Sequence, residues 1–200
     1  MKVLTGLTRQ TTLTAGSVLV VGGVLDQLLL FDPDSTSQTV LSPWYAARSL
    51  ILLGGGLLLL LALIALYMRR ARQIGPFGFS AAIVAGAGTV LLSGLYWSQA
   101  FLYPTLGRVA AGLLDGADRP GSFAFGLLLT AVVFGVGWFL VGIAILRAHV
   151  YRLVPALVIM LGGLLSLIPA TALGQAVLGA GLVLLAFSPD YRRHEGPQRH

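Results

Sequence analysis

The chain has 200 residues, of which 56% are apolar and only 10% charged, and its mean hydropathy is +0.89. A soluble domain carries about 25% charged residues to solvate its surface, so this composition excludes a soluble enzyme, a nucleic-acid-binding domain and a disordered chain, and leaves an integral membrane protein. The net charge of +6 sits at the edges of apolar stretches instead of in one run, a pattern of bilayer orientation and not of phosphate binding.

A membrane-crossing helix needs about 20 mostly apolar residues. The first such stretch covers 13–31. It follows Lys2 and Arg9 and ends in Phe31-Asp32-Pro33-Asp34 without a small-x-small cleavage site, so it reads as a retained span and not as a cleaved leader. The second covers 48–68 and exits on Arg69, Arg70 and Arg72; the third covers 77–103. Between 105 and 116, Leu106, Val109, Ala110, Leu113 and Leu114 recur at the spacing of an amphipathic helix, which Gly116 and Pro120 would stop. Such a helix either floats on the outer membrane surface or folds over the bundle mouth.

A fourth span covers 122–146. The apolar block Tyr151–Phe187 is too long for one helix, and Pro169 within Ile168–Thr171 divides it into spans at 151–168 and 171–187. One long tilted helix, or a re-entrant hairpin, is the alternative. Residues 189–200 form a basic tail suited to anionic lipid heads.

Arginine and lysine placement tests the count. With the amino end inside, six spans put Lys2, Arg9, Arg69, Arg70, Arg72, Arg147, Arg152, Arg192, Arg193 and Arg199 on the inner side. Only Arg48, Arg108 and Arg119 fall outside, with Asp32, Asp34, Asp115 and Asp118. Ten against three obeys the positive-inside rule. The predicted fold is therefore all-α: a polytopic transmembrane helical bundle, one domain over 1–200, with six spans. Both termini are cytoplasmic, the location is the cell membrane, and a short amphipathic helix lies in the third loop.

Most of the 26 glycines lie inside spans, including the small-xxx-small pairs Ala82/Gly86 and Ala131/Gly135. Lipid tails give helices no hydrophobic reason to associate, so close backbone approach through small residues is expected to pack the bundle against itself.

Two segments repeat loosely. Gly23–Pro33 (GVLDQLLLFDP) matches Gly94–Pro104 (GLYWSQAFLYP), and Ile64–Pro76 (IALYMRRARQIGP) matches Ile143–Pro155 (IAILRAHVYRLVP). A parallel duplication and chance likeness between leucine-rich spans both account for this. The stretch LYMRRARQIGPFGFSAAIVAGAGTVLLSGLYWSQAFLYP, followed by GIAILRAHVYRLVPALVIMLGGLLSLIP, resembles a family of uncharacterised bacterial and haloarchaeal membrane proteins over about residues 50 to 188. Gln99 stands where that pattern would place an acid after the tryptophan, and the later turn reads Tyr-Arg-Leu-Val-Pro. The resemblance implies a six-helix bundle and no known activity.

The chemistry available is narrow. Cysteine is absent, which removes disulfides, thiolate metal sites and thiol nucleophiles. His149, His194 and His200 lie in turns or the tail, where they cannot form a haem or zinc site. Ser93 and Ser98 have no intramembrane base, and Gly54–Gly56 lies inside an apolar helix instead of a phosphate loop. No catalytic residue, metal or cofactor is expected, and the protein is read as a non-enzyme.

Asp26 is the one acid inside a span, about 6 Å outward of its middle. A carboxyl there must be protonated, paired or wetted. Asp26, Gln27, Arg48, Tyr96, Trp97, Ser98 and Gln99 gather at the outer end by this reading, as an outward-opening pocket with Trp97 as its apolar wall. The competing reading, which the composition favours, is an interfacial aromatic belt of Trp44, Tyr45, Tyr96, Trp97 and Tyr103 with an Asp26–Arg48 pair closing the bundle. Three functions follow: an accessory subunit packed on another membrane protein, a binder or carrier of a lipid or small lipophile, or a proton-coupled transporter using Asp26, for which Gly22-Gly23 hints at a broken helix. The partners are the bilayer and either a membrane protein or a bound lipophile, with no nucleic acid.

Overall fold

This computed structural model describes residues 2–28, 36–115, 121–148, 153–168 and 172–188. Among them every regular element is helical: α1 (Lys2–Leu28), α2 (Thr36–Thr39), α3 (Pro43–Phe101), α4 (Tyr103–Val109), α5 (Ala111–Leu114), α6 (Gly121–Arg147), α7 (Leu153–Leu165) and α8 (Leu173–Phe187). Four helical segments are long and apolar enough to cross a membrane, namely Thr8–Leu28, Pro43–Arg69, Gln73–Phe101 and Gly121–Arg147, while α7 and α8 are shorter apolar helices.

The first helix begins far ahead of residue 13, the expected start of the first span. Its amino-terminal third carries a threonine row whose hydroxyls donate back to the helix itself, Thr12 to the Thr8 carbonyl at 2.8 Å and Thr14 to that of Gln10 at 2.9 Å. Hydroxyls satisfied this way let a polar stretch continue as helix.

Within α3 the chain reverses at Gly75 (φ 67, ψ −167), a backbone region open only to glycine, and Pro76 restarts the helix. The two arms, Pro43–Arg69 and Gln73–Phe101, lie antiparallel, since Gly56 of one faces Ser93 of the other and Gly86 faces Leu60 and Leu63.

Glycine contacts fix the remaining neighbours. Gly22 meets Leu52 and Gly55 meets Leu19, joining α1 to the first arm of α3. Gly88 lies on the Phe134 backbone and Gly137 on that of Ala85, joining the second arm to α6. Gly135 and Gly163 join α6 to α7, Gly162 and Leu178 join α7 to α8, and Gly16 and Gly179 join α8 back to α1. In every pair residue numbers fall along one helix as they rise along the other. Six antiparallel rods therefore close into a ring in chain order, which only an even number can do. A Cβ on Gly16 would lie 2.6 Å from the Gly179 carbonyl oxygen, so the ring closes by backbone contact at this seam. Gly135 is one of the small residues expected to pack, but Gly86 makes only ordinary contacts; Ala85 and Gly88 take the close approach instead.

The core and the surface are equally apolar. Leu19, Leu52, Leu59, Ile159, Leu178, Leu182, Phe134 and Trp138 are fully or almost fully buried. Leu28, Leu57, Met68, Ile83, Phe125 and Leu161 project outward, as they would toward lipid. At the centre, Trp138 Nε1–H donates to Thr89 Oγ1 at 3.1 Å, and Thr89 Oγ1 donates to the Ala85 carbonyl at 2.7 Å.

One end of the ring is level. Arg9 lies 5.5 Å from the Phe187 ring centre and Arg147 lies 5.2 Å from that of Phe77, so the start of α1 and the end of α8 share this end. The other end is uneven. With 13 and 15 residues, α7 and α8 are shorter than the spans expected at 151–168 and 171–187, and rise only about 20 Å against a hydrocarbon thickness of about 30 Å. Gly135 sits on Gly163 and Leu167, so α6 runs about 20 Å beyond the end of α7, and residues 121–129 are exposed apart from Phe123 and Leu127. The end of α7 and the start of α8 are thus sunk below the rim. The expected breaking residue Pro169, the acidic Asp32, Asp34 and Asp118, His149, His194 and His200, and the tail at 189–200 lie outside the described residues.

The amphipathic helix expected at 105–116 is two short ones. Ala110 (φ −152, ψ 53) breaks it between α4 and α5, and Val109 is 75% exposed where the stripe would bury it. Packing explains the break. Tyr103 and Leu114 are both buried with Val40 and Tyr45, with Leu106 and Phe123 against them, and a straight helix gives way to that cluster. Ser37 N–H donates to Asp115 Oδ1 at 2.7 Å, and a Cβ on Gly107 would lie 2.7 Å from the Val40 side chain. The segment is therefore held down on α2 and the start of α3 and does not float.

Candidate functional site

Register brings the polar residues of the uneven end together. Since Gly22 of α1 faces Leu52 of α3, one helical turn further out Asp26 faces Arg48, and the two form a buried ion pair between Asp26 Oδ1 and Arg48 Nη2. Helical side chains lean toward the amino end of their helix. That turns the Asp26 carboxylate down toward the level of Gly23, where α8 begins against it. There Asp26 Oδ2 accepts the Ala172 N–H at 2.7 Å.

This contact explains why an acid is tolerated at such depth. The first N–H groups of a helix have no intrahelical partner, and below the rim no water is at hand to supply one. Ala172, the cap residue of α8, has no side chain able to do so. Asp26 caps α8 from another helix and places negative charge at the positive end of its dipole. Arg48 then balances the carboxylate. It also donates from Nη1 to Gln99 Oε1 at 3.4 Å and stands 5.4 Å from the Tyr45 ring centre. Beside this group Tyr96 O–H donates to Gln175 Oε1 at 2.5 Å, tying the second arm of α3 to α8. Asp26, Arg48, Tyr96 and Gln175 are all under 10% exposed.

Of the seven expected site residues, four converge: Asp26, Arg48, Tyr96 and Gln99. Trp97 does not wall a pocket; it is 53% exposed, its ring 5.7 Å from that of Phe101 on the outer face of α3. Ser98 Oγ donates to the Leu95 carbonyl of its own helix at 2.7 Å. Gln27 is half-buried and takes no part in the cluster's hydrogen bonds. Nor is α1 broken: it runs straight through Gly22 and Gly23, which pack against Leu52 and Ala176.

Two members escaped the sequence. Ala172 contributes only its backbone, which no sequence pattern marks. Gln175 did leave a signal, as the lone amide side chain in the last apolar block. A cleft lies elsewhere, near the level end, and its lining includes Leu63, Tyr67, Gly78, Ala82, Val141 and Ala144.

Among the described residues no three His, Asp or Glu side chains gather as metal ligands. Both Asp26 oxygens are engaged, and Ser93 donates to the Thr89 carbonyl at 2.8 Å. The cluster can brace helices and cap a buried helix end. Together, fold and cluster define an all-helical bundle with several membrane-capable helices, consistent with an integral membrane protein. No family model, no curated protein and no solved structure matches the chain.

Proposed function

We propose that this chain is a six-span integral protein of the cell membrane, related to the uncharacterised family it resembles, with both termini cytoplasmic and no catalytic activity. It serves as an accessory subunit that packs against another membrane protein. In this reading the Asp26–Arg48 pair is a brace, since both carboxylate oxygens are already bound by the chain itself.

The observation that carries the accessory role is on the outer face of α3. Gly54 and Gly94 stand at nearly the same level on neighbouring arms, given that Gly56 faces Ser93, and a Cβ on either would meet nothing within 4 Å. Glycine is a poor residue for an isolated helix, costing about 1 kcal/mol relative to alanine. Most glycines of the ring are repaid by close contact within the chain; these two, like Gly126 of α6, are not, and only these two lie side by side on neighbouring arms. A second membrane helix approaching between Leu50, Leu57 and Trp97, all exposed, gives them that contact. Gly54→Leu combined with Gly94→Leu should not destabilise the isolated chain, and by helix propensity should raise its stability in detergent by about 1–2 kcal/mol. It should abolish chemical cross-linking to a neighbouring membrane protein in native membranes. Unchanged cross-linking would refute the role.

Orientation has its own test. The chain lacks cysteine, so Gln38→Cys and Gln73→Cys each introduce a single thiol on an exposed position at opposite ends of the ring. A membrane-impermeant maleimide added to intact cells should label the first and not the second. The reverse pattern, or labelling of both, would overturn the topology.

A further inference from the structure

We propose that the flank formed by α7 and α8 is fitted to a thinned bilayer: the leaflet at the uneven end sinks over these two helices, and the partner of this surface is lipid with short acyl chains. The inference rests on the six-span reading and is independent of the accessory role.

Length sets the problem. With 13 and 15 residues, α7 and α8 fall short of the hydrocarbon thickness by up to about 10 Å. Pro43–Arg69, Gln73–Phe101 and Gly121–Arg147, with 27, 29 and 27 residues, rise about 40 Å and span it fully. The shortfall lies at the uneven end. There α7 stops level with Gly135, while α6 continues as an exposed apolar wall that includes Phe125, Leu128 and Val132.

A span that is too short is accommodated by snorkelling side chains, by association with another helix or by a thinner bilayer. The sequence excludes the first. No Lys, Arg, Asp, Glu, Trp or Tyr occurs between Arg152 and Asp190, so nothing on these helices reaches up to a distant interface. On α3, by contrast, the exposed Trp44 and Trp97 mark that interface. The surface argues against the second. Gly162, Gly163, Gly174, Gly179 and Gly181 all point at neighbouring helices of the ring. Facing out are Leu157, Leu161 and Leu164 on α7, Ile168 just beyond it and Leu173 on α8. Such a rough aliphatic face keeps a second backbone away and suits acyl chains.

A thinner bilayer remains, and it also serves the backbone. The last carbonyls of a helix lack intrahelical donors and hydrocarbon offers none, so water and headgroups drawn down to the end of α7 supply them. Ala172 lies on the closed side of the ring, 3% exposed with its N–H taken by Asp26, whereas Ile168 is 55% exposed.

The test uses the full chain at low density in dioleoyl phosphatidylcholine vesicles, with a membrane-impermeant maleimide on both sides so that orientation does not matter. Ile168→Cys is compared with Val90→Cys on α3, which is also exposed. Gly88 stands level with Phe134 and Gly135 with Leu167, so the two positions lie within about a turn of each other in depth. Ile168→Cys should be labelled at least about tenfold faster than Val90→Cys, because the thiol reacts only where water reaches it. In vesicles mixing brominated dimyristoleoyl with dierucoyl phosphatidylcholine, a fluorophore on Leu161→Cys should be quenched more than one on Val90→Cys, the short lipid being enriched about threefold on that flank. Should Ile168→Cys fail to fold, Leu164→Cys, also exposed, takes its place. Slow labelling at both positions, equal quenching on the two flanks, or disulfide cross-linking of Ile168→Cys to a second copy would each overturn the thinned flank. Labelling of Val90→Cys as fast as that of Gln38→Cys would instead take α3 out of the bilayer and refute the six-span reading itself.

Discussion

Asp26→Asn should destabilise the bundle by about 3–5 kcal/mol, because it leaves the Arg48 guanidinium buried without its counter-charge. The substitution is nearly isosteric, and the asparagine oxygen can still accept the Ala172 N–H, so cavity formation and cap loss contribute little. Arg48→Met should cost a similar amount by stranding the carboxylate. Combining the two removes both charges while keeping the cap, and the double variant should return to within about 2 kcal/mol of the parent, since a well-packed neutral pair often replaces a buried ion pair at small cost. Asp26→Leu with Arg48→Met should fall below that double variant by the desolvation of the orphaned Ala172 N–H, about 1–3 kcal/mol. Reversible unfolding by sodium dodecyl sulfate in mixed micelles measures all four. Additive losses in the double variant would show that the two side chains do not act as a pair. A pH-dependent flux that disappears in Asp26→Asn while stability holds would instead point to proton transport.

The second large effect lies at the middle of the ring. Trp138→Ala should cost about 3–5 kcal/mol. Trp138 is fully buried, with the Phe134 ring 6.4 Å away, and the crossing at Gly88 and Gly137 holds the backbones too close for the helices to collapse into the space left behind. The hydrogen bond from its indole to Thr89 is a minor part of this. Thr89→Val should cost about 0.6 kcal/mol, the average for a side-chain hydrogen bond between membrane helices. The same unfolding titration reads both, and a loss below about 1 kcal/mol for Trp138→Ala would contradict a close-packed centre.

Hydropathy alone located the four long helices to within a few residues at most ends, because the need for about 20 apolar residues is a local property of the chain. The first helix is the exception, its amino-terminal threonines reading as polar although their hydroxyls are spent on the helix itself. Charge was equally local, and it marked the end where Arg9, Arg69 and Arg147 gather. The single buried acid also stood out, since nothing else in a span resembled it, and Arg48 was named as its partner.

What only the tertiary structure decided is the job that acid performs. Asp26 and the N–H it caps are 146 positions apart in sequence. They meet because glycine contacts close the ring between α1 and α8, and because α8 begins at the level of Gly23, below the end of α1. A backbone donor has no residue-type signature, so no pattern in the sequence could name Ala172 as a partner. The break at Ala110 has the same origin, since periodicity counts which residues are apolar, whereas burying Tyr103 and Leu114 in one cluster depends on a surface made by α2 and the start of α3.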